Sequence, residues 1–106
     1  MLSAEQIAKA VADLQRHDIT KKLYRAVSNN KSIVVYGNAT SGKNKVFSEN
    51  SQMLRYYDRH VYNFDDKKDI QLFLQKATDS LMFVEAHYSG TRRLNFPVNV
   101  VEVFMQ

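Results

Sequence analysis

The chain has 106 residues, enough for one domain with a modest core and too few for two. It contains no cysteine, which excludes disulfides, thiol catalysis and cysteine-ligated zinc or iron–sulfur centres. The formal charge of +4 is unevenly spread: residues 1–60 carry ten Lys/Arg against five Asp/Glu, and residues 61–106 five against six. A basic half suits an anionic partner or nucleic acid.

No apolar run approaches the roughly 18 residues of a membrane span, and Met1–Gln6 lacks the pattern of a signal peptide, so no membrane partner and a cytoplasmic location are expected. Ser3 with Gln6 forms a capping box, and Leu2 with Ile7 a hydrophobic staple, which together start a helix. Ile7, Val11 and Leu14 share one face of it through about Gln15. Asp18 or Thr20 then caps a second, shorter helix whose face is Ile19, Leu23, Ala26 and Val27, and Ser28-Asn29-Asn30 ends it.

Ile33, Val34 and Val35 are a β-branched strand that runs into a polar loop, Gly37 to Asn44. Gly37, Gly42 and Lys43 reproduce G-x-x-x-x-G-K, in which glycines let backbone N–H groups converge on an anion and the lysine neutralises outer phosphates. Asn44 stands where the pattern has the hydroxyl that holds magnesium, so binding is expected rather than catalysis. As a phosphate site the loop comprises Gly37, Gly42, Lys43 and Asn44; as a plain turn it is explained by its Asn and Ser residues, and both readings stand.

A helix interrupted near Ser48 to Ser51 follows, carrying Val46, Phe47, Met53, Leu54 and Tyr57. His60 to Phe64 reads as a short strand, and Asp65-Asp66 caps a helix with Ile70, Phe73, Leu74 and Ala77 on one face. Leu81 to Ala86 is a buried strand, and Val98 to Phe104 a final one after Phe96-Pro97. The alternation predicts a single α/β domain over residues 1–106: a partly parallel sheet of three to four strands covered by helices, two of them N-terminal, ending in an antiparallel hairpin.

Glu85 closes the apolar run Leu81–Glu85, the place where a phosphate-loop enzyme holds magnesium through water. With Gly37, Gly42, Lys43 and the final strand ending at Gln106, it resembles a reduced P-loop core of superfamily 3 helicases, the ATPases of small-virus and phage replication. That resemblance implies ATP with magnesium as ligand and, at most, a weak NTPase in a viral or phage accessory protein. Asn38 stands in place of the usual proline, and Asn44 in place of the magnesium-binding hydroxyl. A second likeness, to thioredoxin-like domains, rests on the strand–loop–helix order and Phe96-Pro97; without cysteine it implies a non-redox module.

Basic and aromatic residues interleave from Arg55 to Tyr62, and Lys21, Lys22, Lys45, Arg55, Tyr57, Arg59, Arg92 and Arg93 are the candidate nucleic-acid contacts. His17, His60 and His87 have no metal-motif spacing, and no catalytic residues are identified. Two functions stay open: a non-catalytic domain that contacts nucleotide or nucleic acid, and a protein-interaction module, an inhibitor or accessory factor, in which the glycine loop is a turn.

Overall fold

The computed structural model describes residues 1–37, 42–96 and 99–105. Asn38 and Gln106, which enter the helicase resemblance, Pro97, which enters the thioredoxin one, and Val98, the predicted start of the last strand, lie outside them. Among the described residues the order is α1 (Ala4–Ser28), β1 (Ser32–Gly37), α2 (Asn44–Glu49), β2 (Asp58–Asn63), α3 (Lys67–Ala77), β3 (Met82–His87) and β4 (Val100–Phe104).

The four strands form one sheet in the order β2-β3-β1-β4, and every pair is parallel. β1 lies between β3 and β4 and all six of its residues are buried, which is why it reads as an unbroken apolar run rather than an alternating one. Register places Val35 opposite Glu85 on one side and Val103 on the other.

Side chains alternate between the two faces. Ile33, Val35, Phe83 and Val103 pack under Leu23 and Ala26 of α1 and Val46, Leu54 and Tyr57 of the α2 region. On the opposite face Val34, Tyr36, Tyr62, Met82 and Val84 pack under Phe73 of α3 and under Leu94 and Phe96 of the β3–β4 connection. Rings of Phe64, Phe73 and Phe96 meet edge-on or tilted at centroid separations of 5.2–5.6 Å. The crossover β1–β2 runs one way along the sheet over the first face; β2–β3 and β3–β4 run the other way over the second. All three crossovers therefore share one hand, as parallel units do.

Two expectations are corrected. The N-terminal segment is one helix, not two: the capping box at Ser3 and Gln6 starts it, and it continues without a break to Ser28. Thr20 does not cap anything; its hydroxyl donates to the Arg16 carbonyl one turn back at 2.9 Å. What changes near residue 16 is the apolar face, which rotates by roughly 140° at 100° per residue, and a rotated face in an unbroken helix imitates two helices. The helix ends as predicted, with Asn30 left-handed at φ 52° and Lys31 N–H donating back to the Ala26 carbonyl.

β4 is the second correction. It pairs parallel with β1 and forms no hairpin with β3. The connection over residues 88–99 is long enough to cross the sheet, and burial of Tyr88, Leu94 and Phe96 against the α3 cluster draws it over β1.

Candidate functional site

Both central strands end at the same edge of the sheet, but the chain leaves them in opposite directions. After Gly37 it goes to α2 on one face; after His87 it goes to the Tyr88–Phe96 connection on the other. Neighbouring strands whose connections diverge leave a crevice between them, and open parallel α/β sheets bind ligands at such a point. Here the crevice has a volume of about 370 Å³ and is lined by Tyr36, Gly37, His87, Tyr88, Ser89 and Gly90, closed at the β4 side by Phe104 and Met105.

The wall from His87 to Gly90 is held by specific contacts. Asp65, in the turn after β2, accepts from the Ser89 backbone N–H at 3.1 Å and from its hydroxyl at 2.9 Å. These bonds hold the Asp65 carboxyl below its ordinary range, with a smaller contribution from His87. His87 Nε2 lies 3.9 Å from the other Asp65 oxygen. The Tyr88 hydroxyl donates to the Arg92 carbonyl, and the end of its ring lies where a Cβ at position 90 would be, so a larger residue there would have to displace the ring. Tyr36 forms the floor: its ring stacks on Phe104 at 4.5 Å and its hydroxyl donates to Glu102 at 3.0 Å. Burial, then the Glu102 charge, pushes the Tyr36 phenol far above the ordinary tyrosine range, so it remains a neutral donor.

The glycine loop bounds the crevice at Gly37, and Gly42 faces a second cleft of about 420 Å³ between α1 and α2. Arg16, Thr20 and Lys45 line this second cleft, and Met105 lines both. Gly42 has φ +78°, a left-handed conformation that glycine adopts without cost, and Asn44 opens α2 directly after Lys43. Residues 38–41, the interior of the loop, are among those outside the described residues.

Glu85 is not at the end of its strand. It lies two positions before it, 5% exposed, on the α1–α2 face. Arg59 of β2 donates to one carboxylate oxygen through Nε at 3.0 Å and Nη2 at 2.6 Å, and the same guanidinium lies over the Phe47 ring. The residues expected to hold magnesium therefore fit it poorly: Asn44 offers an amide, and Glu85 already receives two charge-assisted bonds. Among the described residues no group of three or more His, Asp or Glu is placed to hold a metal ion.

The candidate nucleic-acid residues do not gather into one surface. Lys21, Lys22 and Lys45 are exposed on the α1–α2 face, whereas Arg92 and Arg93 belong to the connection over the other face, where Arg93 lies 3.9 Å from Glu102. Tyr57 is corrected outright: it is 7% exposed, its hydroxyl donates to the Lys31 carbonyl at 2.6 Å, and its ring is part of the core. Tyr56 is the exposed ring, 77% accessible, with the Arg55 guanidinium over it at 4.9 Å. Adjacent tyrosines in a turn give no period from which to choose the outer one. Arg16 and the His87–Gly90 wall carry no local motif, and only the chain's return across the sheet brings them to the loop.

Among the described residues no helix is long and apolar enough to cross a membrane. Comparison with known protein families, with characterised proteins and with solved structures returns no match.

Proposed function

We propose that this chain is a small, non-catalytic binding domain that takes the phosphates of a nucleotide at the carboxyl edge of its sheet. The observation that carries the reading is the crevice between β1 and β3, where the two connections part and Gly37 faces His87 to Gly90. The left-handed Gly42, with Lys43 and Asn44 at the start of α2, supports a phosphate-cradling role for the loop; beside it stand Lys45 and Arg16, the latter paired with Asp13 at 3.3 Å, against one carboxylate, Glu49. The exposed ring of Phe104 and the half-buried ring of Tyr88, both resting on the buried Tyr36, offer an apolar surface for the base.

Hydrolysis is not part of the proposal. The arrangement of Glu85 with Arg59 leaves its carboxylate engaged, and Asn44 supplies no hydroxyl. The likeness to a P-loop core is kept as a likeness of binding loop, not of motor.

Amide chemical-shift mapping during titration with ATP tests the reading. Expected are shifts confined to Gly37, Gly42 to Lys45 and His87 to Gly90. Shifts elsewhere alone, or none, refute it. Should a nucleic-acid backbone supply the phosphates instead, oligonucleotides replace ATP as the effective titrant and affinity falls steeply with added salt.

A protein-interaction role has an observation of its own. Ile7, Val11 and Leu14 are 48–64% exposed on α1.

A further inference from the structure

Gln15, Arg16, Asp18, Ile19 and Thr20 line clefts with Met105 at the end of the sheet, so the part of α1 before them extends past the carboxyl edge. Along residues 1–18 every residue is exposed except the half-buried Ala12. A helix of such length with so little packing is marginal in water. Yet its outer face is apolar: Ile7, Val11 and Leu14 are 50%, 48% and 64% exposed and follow the 4-then-3 spacing of a coiled-coil seam that begins at Ala4. Ala8 and Ala10 flank the seam, so a second helix can approach closely.

We propose that this half of α1 pairs antiparallel with the same half of a second copy of the chain, the helices crossing near residue 9. The sequence is self-complementary in that arrangement. Ala4 meets Leu14 of the other copy, Ile7 meets Val11, and each contact recurs by the two-fold axis, as an isologous interface requires. Charge selects the antiparallel direction. In a parallel pair the seam would continue with Asp18 against Asp18, Lys21 against Lys21 and Arg25 against Arg25, all like charges. In the antiparallel pair the seam ends at Asp18, which falls beside the capped start of the other helix, where the dipole favours an anion. Covering the seam, with Leu2 at 63% exposure beside it, buries on the order of 1,000 Å² over the two copies, the lower end for a specific interface. The pair is thus a weak dimer, populated as concentration rises, and it is independent of the crevice.

Sedimentation equilibrium over a wide concentration range gives the first reading, and the expected mass doubles toward its upper end. V11E and L14K, both at exposed positions, are each expected to abolish the doubling while leaving the melting of the sheet domain unchanged. Orientation is read from cross-links in a chain that has no cysteine. Under oxidation, I7C mixed with V11C should form the mixed disulfide, and I7C alone should form little. A wild-type chain that stays monomeric at all concentrations overturns the proposal. So do V11E and L14K chains that dimerise as wild type does, and I7C that cross-links to itself as readily as to V11C.

Discussion

Removing Arg59 should cost about twice as much as neutralising its partner. In the folded chain Glu85 is buried between Val35 and Val61 in the sheet register, and its carboxylate receives two bonds from a guanidinium whose side chain is 42% exposed. Breaking a fully buried pair by removing one member costs about 3–5 kcal/mol. Water entering from the open side of Arg59 offsets part of this, so R59A should lose about 2 kcal/mol, discounted for that exposure. At about 4–8 °C per kcal/mol for a domain of this size, melting should fall by about 10 °C. E85Q keeps an acceptor for the guanidinium and leaves a charge that water can reach, so its loss should be about 1 kcal/mol. Urea unfolding of wild type, R59A and E85Q, compared at a common slope, measures both. An R59A chain as stable as wild type, or an E85Q chain less stable than R59A, would refute the reasoning.

Two further outcomes follow from the packing and charge. Phe73 is fully buried among Tyr62, Phe64 and Phe96, so F73A should lose about 3–5 kcal/mol in the same urea assay. Asp65 is held below the ordinary value of 3.8 by its bonds from Ser89, so these bonds stabilise the fold above that pH and are lost as pH falls through the lower folded value. The difference in melting temperature between wild type and D65N should therefore be open near neutral pH and close on acidification below 3.8.

Local chemistry accounts for what could be read from residues alone. β1 and β3 are central parallel strands and buried on both faces, so their apolar runs name them without ambiguity; Asp66 caps α3 through Lys68 N–H as its position before the apolar face implies. The N-terminal helix is less legible, because its two halves serve different surfaces: Leu23 and Ala26 pack on the sheet while Ile7, Val11 and Leu14 face outward. A periodicity argument detects the change of face and not the continuity of the backbone. The direction of β4 depends on where the Tyr88–Phe96 connection finds burial, a tertiary matter.

The site divides in the same way. Gly42 and Lys43 are legible from spacing, and the strand before them from β-branching. The opposite wall, His87 to Gly90, becomes a wall only because β3 lies next to β1 and its connection turns the other way. Arg59 and Glu85 are 26 positions apart, and nothing in either neighbourhood signals the pair.

Calorimetric titration with ATP of the intact chain and of K43A, each with its thermal melt, tests the nucleotide reading most directly. The ammonium of Lys43 is the main counter-charge proposed for the outer phosphates. Saturable heat is expected from the intact protein, unchanged when magnesium is chelated, and at least about a tenfold weaker affinity from K43A, or about 1.4 kcal/mol, at a temperature below the melt of either chain. No heat from the intact protein, or equal affinity in K43A, would contradict it and leave Gly37 to Asn44 as a turn between β1 and α2.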